Sequence, residues 1–244
     1  MDLWGTTDSG KVRRQNQDVF KVLYDEDRNV AVLVVCDGMG GANAGNVASA
    51  LAADAFMHYM GKYVEDIGVK SDIAMKMSDA VLAANRAVYD RSIQDEEHSG
   101  MGTTLTAAIS TADGEVVVNI GDSRAYHVTT SGITQITKDH SVVEDMVSRG
   151  DLTRAEARRH PNKNLITRAL GTNEDEEPDV FFLNMNQGDH LLLCSDGLSN
   201  VVMDSEILFE LQNGTDVRES CEKLVETALS RGAPDNVTAV IYRK

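Results

Sequence analysis

The chain has 244 residues, with 23 Lys and Arg against 39 Asp and Glu, a formal net charge of −16. Hydrophobic residues make up 42% and charged residues 25%, enough apolar material for a packed core and too much for a disordered chain. Such a polyanion is repelled by nucleic-acid phosphates and anionic lipid, so neither is expected as a partner.

The longest wholly apolar run, Val30 to Cys36, is seven residues, far short of the ~20 that span a bilayer. The amino terminus lacks the basic start and apolar stretch of a signal peptide, and three widely spaced cysteines give no disulfide framework. The expected location is cytoplasmic. No Gly/Ser-rich or single-sign run divides the chain, so a single domain over residues 1–244 is expected.

Val19–Leu23 and Val30–Cys36 read as neighbouring strands about the polar turn Asp25–Asn29, the second apolar enough for burial on both faces. Val47, Ala48, Leu51, Ala52, Ala55, Phe56 and Tyr59 recur at helical spacing. Ile73, Met77, Val81, Ala84 and Val88 mark a second amphipathic helix. Thr103–Ser110 and Glu115–Ile120 flank the hairpin signal Asp113-Gly114, and Arg124–Val128 and Ile133–Ile136 continue the meander. Ser141-x-x-Glu144 and Thr153-x-x-Glu156 each fit a capping box that opens a short helix. A strand at His190–Cys194, helices near Ser205–Leu211 and over Val217–Leu229, and a strand at Val237–Tyr242 complete the chain. Hairpins alternating with helix pairs predict an α+β layered domain of mostly antiparallel sheets covered by helix pairs.

One local pattern carries chemistry. Three apolar strands run directly into an acid beside glycine: VAVLVVC-Asp37-Gly38, EVVVNI-Gly121-Asp122 and LLLCS-Asp196-Gly197. A single Asp-Gly is an ordinary turn, and Asp113-Gly114 and Gly188-Asp189 read that way. A carboxylate ending a buried strand is costly without a partner. Several delivered to one place make an oxygen-rich site suited to Mg²⁺ or Mn²⁺. Asp18 and Asp235, in polar turn-like contexts, are candidates to complete it. Arg13 and Arg14 lie just before Asp18, and arginine beside carboxylate-bound metals suits phosphoryl recognition.

Other routes close. Gly5 to Val12 nearly fits a P-loop, but Val12 stands where the magnesium-binding hydroxyl is needed and Asp8 puts an anion in the loop. A covalent cysteine phosphatase needs Arg six residues after its Cys, where this chain has Ala42, Asn200 and Thr227. No Cys/His cluster supports zinc.

Together, T-D-S-G-K-V-R-x-x-N-Q-D (7–18), V-V-C-D-G-M-G-G (34–41), G-T-T-L (102–105), G-D-S-R (121–124), D-H-S (139–141), T-R-A-L-G (167–171), C-S-D-G-L (194–198) and D-N-V-T (235–238) resemble the metal-dependent (PPM, type 2C) Ser/Thr protein phosphatases, closest to their compact bacterial members. The resemblance implies a four-layer α-β-β-α sandwich with Mn²⁺ or Mg²⁺ at one end, two ions in the core site and a third beside it. It implies that Asp37 bridges the two metals, that Gly38 offers its backbone carbonyl, and that Asp196 and Asp235 are ligands. Asp18 is a further acid of the site, and Asp122 joins Asp196 on the third metal. Arg13 matches the phosphate-binding arginine; Arg14 has no counterpart.

The implied activity is hydrolysis of phosphoserine and phosphothreonine in proteins by direct attack of a water bridging the metals, without a phosphoenzyme. A flap over about 139–170 is implied beside the site. So are phosphoprotein partners that are substrates of a Hanks-type kinase, and a monomeric state. The chain departs from the pattern of the family it resembles at Gln17, where Glu is common, and at Met39 and Ala42, where some members have His. His160 and a metal-bound water remain open as proton donors. Between Arg149 and Arg168 six basic residues face two acids, which suggests that the flap docks acidic or phosphorylated substrates.

Overall fold

Along the strand β3 (Val30–Met39), Val30, Val32, Val34 and Cys36 enter one core while Ala31, Leu33 and Val35 enter another. Side chains alternate across a strand, so a strand apolar at every position must lie between two apolar layers. This is how the structure, a computed structural model describing residues 2–40, 44–65, 73–94 and 96–244, is built. β10 (His190–Cys194) repeats the device, with Leu191 and Leu193 on one side and Leu192 and Cys194 on the other.

One sheet runs β1 (Leu3–Asp8), β11 (Val237–Arg243), β10, β7 (Arg124–Thr129), β8 (Gly132–Gln135). The other runs β2 (Asp18–Asp25), β3, β5 (Leu105–Thr111), β6 (Gly114–Ile120), β9 (Asp179–Leu183), with β4 (Gly102–Thr103) against the end of β3. Every pairing between named strands is antiparallel. The sheets pack through Leu33, Val35, Val117, Leu191, Leu193 and Val240. Helices α1 (Ala44–Glu65) and α2 (Ile73–Gln94) cover the second sheet through Phe56, Met60, Met77 and Val81. The short α5 (Asp196–Ser199), α6 (Asp204–Asn213) and α7 (Val217–Ser230) cover the first through Leu198, Ile207, Cys221 and Leu224. Three cores make four layers, the expected α-β-β-α sandwich.

Two local readings change. β1 is a strand that the sequence does not announce: within LWGTTD only Leu3 is buried, and pairing with β11 from Leu3↔Tyr242 to Asp8↔Val237 holds it. Gly5 to Asp8 of the P-loop look-alike are therefore strand. The capping box at Thr153 is complete, with both reciprocal bonds formed at the start of α4 (Arg154–Ala157). At α3 (Val142–Arg149) only half forms. Ser141 Oγ accepts from the Glu144 amide, but the Glu144 carboxylate turns to Arg154.

Far from the site, Glu115 is fully buried and accepts from Ser110 Oγ, the Met185 amide and Lys244 Nζ at 2.7 Å. Removing one partner of a buried ion pair strands the other charge, so Lys244→Ala is expected to cost about 2–3 kcal/mol in urea unfolding. An unchanged unfolding midpoint would show that the Lys244–Glu115 pair adds nothing to stability. No helix of the described residues is long and apolar enough to cross a membrane.

Candidate metal centre

The antiparallel registers bring five of the expected acids to one end of the sandwich. Asp18 opens β2 directly opposite Asp37 in β3. Cys194, the last residue of β10, pairs with both Ala239 and Arg124, so Asp196, Asp235 and Asp122 all lie just beyond that level. A cleft of about 220 Å³ there is lined by Arg13, Asp37, Gly38, Asp122, Asp196 and Asp235, and also by Gln17, Met39, Gly40, Thr104, Asn164 and Ile166. Asp18 stands behind it, buried, and is not among the lining residues.

The glycines serve close approach. A Cβ on Gly38 would fall 2.0 Å from the carbonyl oxygen of Gly45 at the start of α1, and one on Gly197 1.9 Å from that of Asn236. Each Asp-Gly pair thus lets another backbone press against the strand end, which holds the acid where it is. Asn236 does similar work for the arginine loop. Its amide nitrogen donates to the carbonyls of Ser9 and Gln15, and its Oδ1 accepts from the Gln17 amide. Thr104 Oγ1 accepts from the Asp37 amide.

The electrostatics are those of like charges held together. Burial, and then Thr238 and Ser195 acting the other way, leave the Asp18 carboxyl pushed up to about 7. Asp37 and Asp122 are held well above the carboxylate range by burial and by neighbouring acids. Asp196 is pushed up to about 6 by burial and Asp235, with Lys163, Arg124 and Arg13 offsetting part. Asp37 and Asp196 keep some surface in the cleft but lie deep among protein atoms. Arg13 donates to Asp235 Oδ2 at 2.8 Å and is otherwise half exposed at the rim.

These residues fit divalent cations. The donors are hard oxygens. The neighbouring acids raise one another, and a cation would relieve that repulsion. Asp18 Oδ1 is a buried carboxylate oxygen with no hydrogen-bond partner. Among the described residues no three such groups already stand close enough to enclose an ion; the acids ring the cleft as an open set.

Of the sequence-predicted residues, Arg13, Asp37, Gly38, Asp122, Asp196 and Asp235 come together around the cleft and Asp18 backs it. Arg14 is exposed and lines nothing here. His160 lies within the flap, accepting from the Asn162 amide, and is not among the lining residues. Met39 is among the residues lining the cleft, and Ala42 lies outside the described residues. Thr104, Asn164 and Asn236 were not singled out from the sequence. Thr104 and Asn236 stand inside the motifs G-T-T-L and D-N-V-T, which was the available signal.

Residues 10–240 match the family described as Protein phosphatase 2C. The chain is 41% identical over 235 residues to the serine/threonine protein phosphatase PstP of Mycobacterium tuberculosis, which covers 96% of this chain but only 43% of that protein. It is 34% identical over 242 residues to the serine/threonine phosphatase stp of Listeria monocytogenes, covering 98% of this chain and 94% of that one. The crystal structure of the M. tuberculosis PstP/Ppp phosphatase superposes with a TM-score of 0.87 at 40% identity, covering 98% and 96% of the two chains. A structure of the PstP catalytic domain in complex with 2 manganese ions superposes with a TM-score of 0.84 at 39% identity, again over 98% and 96%.

Proposed function

Because the chain belongs to the protein phosphatase 2C family, we propose that its carboxylate cleft hydrolyses phosphoserine and phosphothreonine esters of proteins, with Mn²⁺ or Mg²⁺ as cofactor. The observation that carries this reading is the convergence of mutually repelling carboxylates on a cleft rimmed by Arg13.

Asp37, the Gly38 carbonyl, Asp196 and Asp235 would hold two cations, with Asp18 behind them; Asp122 with Asp196 would hold a third. Divalent cations there supply Lewis acidity and bring the pKa of a water close to neutral. Without them the carboxylates repel a phosphate dianion, so the site is selective for the loaded state. Arg13 spends one donor on Asp235 and has others for the equatorial phosphoryl oxygens.

Among the described residues lining the cleft the one hydroxyl is that of Thr104, engaged by the Asp37 amide and Ser123 Oγ, so we assign the attack to water. Cys36, beside Asp37, is turned by strand alternation into the helix-facing core, and Cys194 and Cys221 are equally buried. Ser195, beside Asp196, is buried and bonded to Asp18. Met39 has no proton to give and His160 is not among the residues lining the cleft, so we assign the proton for the departing Ser or Thr oxygen to water.

Release of phosphate from a phosphothreonine peptide with Mn²⁺, its loss in EDTA, and no cleavage of an aryl phosphodiester are the expected results. No release from folded, Mn²⁺-binding protein would favour a phosphoprotein-binding module instead. Diester cleavage would assign another two-metal chemistry.

The chain reads as one catalytic domain with a flap over about 139–170, whose two ends are joined by an isolated antiparallel bridge between Ser141 and Ile166. Beside the cleft, and sharing Asp122 and Asp196 with it, lies a groove of about 700 Å³ whose flap wall includes Arg154, Arg158 and Lys163. Arg154 is held by Glu144, Arg158 by Asp204 at 3.3 Å, and Arg168 by Glu176 and Asp179. The flap's positive surplus is thus partly neutralised, and we assign the groove to the polypeptide flanking the phosphoresidue. Arg158→Glu with Arg159→Glu should raise KM for a phosphoprotein at least threefold more than for a small aryl phosphate. Equal effects on both would remove the flap from docking.

A monomeric, cytoplasmic enzyme opposing a Hanks-type kinase completes this reading. Accumulation of that kinase's phosphoproteins on deletion would support it, and an unchanged phosphoproteome would count against it.

A further inference from the structure

Thr7, Asn16, Ser195 and Thr238 stand inside the sequence motifs but have no part in the chemistry above. They form one connected network on Asp18. Ser195 Oγ and Thr238 Oγ1 each lie 2.7 Å from Asp18 Oδ2. The Thr238 amide bonds to Ser195 Oγ at 3.0 Å. Thr7 Oγ1 and Thr238 Oγ1 are 2.7 Å apart, Asn16 Nδ2 donates to Thr7 Oγ1 at 2.8 Å, and Asn16 Oδ1 accepts from the Asp18 amide at 3.1 Å.

Proton counting fixes the direction of every bond. In the metal-loaded state, where Asp18 is ionised, its carboxylate only accepts, so both hydroxyls on Oδ2 donate. A hydroxyl has one proton, so Thr238 must accept from Thr7, and Thr7 must in turn accept from Asn16. The network is therefore polarised one way: Asn16 amide to Thr7 to Thr238 to Asp18 Oδ2, with Ser195 donating from the other side. All of this satisfaction goes to Oδ2. Oδ1, equally buried, has no partner in the protein.

A carboxylate kept only for stability gains nothing from such asymmetry, because an unsatisfied buried acceptor costs about 1–3 kcal/mol. A carboxylate serving a cation needs it: one oxygen fixed from behind, the other left to the ion or to the water it carries. We infer that Thr7, Asn16, Ser195 and Thr238 are positioning residues for metal binding, which lock Oδ2 of Asp18 and keep its Oδ1 available. The inference rests on the reading that Asp18 belongs to the metal site.

The test is Mn²⁺ titration of the full chain by calorimetry, with urea unfolding of the metal-free protein alongside. Thr238→Val and Ser195→Ala should each weaken Mn²⁺ binding about 10–100-fold, the range for residues that orient a metal ligand. Thr238→Ser, which keeps the hydroxyl, should bind like wild type. Thr7→Val breaks the network at an exposed position and should weaken binding severalfold, which decides the matter if the buried variants do not fold. Asp18→Asn tests the underlying reading: wild-type affinity in that variant would remove Asp18 from the metal site. Lost affinity in Asp18→Asn with wild-type affinity in the hydroxyl variants, whatever their stability, would overturn the inference alone.

Discussion

Asp196→Ala is expected to lower phosphopeptide kcat/KM by at least about a thousandfold, roughly 4 kcal/mol at the barrier. Asp196 opens α5 directly after β10, with Asn200 Nδ2 donating to its Oδ2 at 2.9 Å and Asp235 as its strongest like-charge neighbour. It lines both the cleft and the adjoining groove. In the proposed site it serves more than one cation, so excess Mn²⁺ should not restore the variant. Arg13→Ala should behave differently. It deletes a charge-assisted contact of about 1.5–3 kcal/mol, so a loss of about 10–100-fold with Mn²⁺ affinity retained is expected. Wild-type turnover in Asp196→Ala would refute the assignment, and parallel loss of metal in Arg13→Ala would move the arginine from phosphate to metal.

The second large effect concerns the metal-free protein, whose stability should fall as pH rises from about 5 to 7.5. The carboxyl of Asp18 titrates at about 7 in the fold against 3.8 ordinarily. The folded state then holds the proton more tightly than the unfolded state. Its contribution is therefore complete below the unfolded value and is lost as pH climbs through the folded one. The whole gap of about three pH units corresponds to roughly 4 kcal/mol, of which about 2.5 kcal/mol is lost between pH 5 and 7.5. Asp196, at about 6, acts in the same direction but shares the repulsion, so the two do not add. Glu206, pulled down to about 2 by Arg231, has the opposite sign but is ionised in the fold and mostly ionised in the unfolded chain across this window, so this solvent-screened group offsets at most a few tenths of a kcal/mol. His190, lowered by burial, also opposes the trend near its own pKa, and Asp18→Asn removes the carboxylate share while leaving that of His190.

Thermal unfolding in EDTA at pH 5 and 7.5, repeated with Mn²⁺, checks this. Tm should fall with pH in EDTA, and the gain from Mn²⁺ should be larger at pH 7.5. A Tm that rises with pH in EDTA would contradict the electrostatic description of the cleft.

How far the sequence reveals this depends on the kind of interaction. β3 and β10 are legible because burial on both faces writes an unbroken apolar run. Asp37, Asp122 and Asp196 are legible because an acid at the end of such a run is an expense that calls for a partner. β1 is not, since its polar residues are held by pairing with β11 rather than by burial. Nor is the reason for Gly38 and Gly197, because the close approach of the Gly45 and Asn236 carbonyls exists only in the fold. The flap misleads in the same way. The surplus of bases between Arg149 and Arg168 is a local sum, while Glu144, Glu176, Asp179 and Asp204, which pair with three of them, lie outside that window. Asp18 shows the limit best. Its motif marks it as part of the site, but only the register of β2 on β3 and the hydroxyls of Ser195, just after β10, and Thr238, in β11, show that one of its oxygens is held and the other free.

In the proposed site these acids hold divalent cations. Anomalous diffraction at the manganese edge from crystals grown with Mn²⁺ tests it most directly. Two strong peaks are expected in the cleft, within bonding reach of Asp37, the Gly38 carbonyl, Asp196 and Asp235. Peaks confined to other acidic surfaces, with none between these residues, would contradict it.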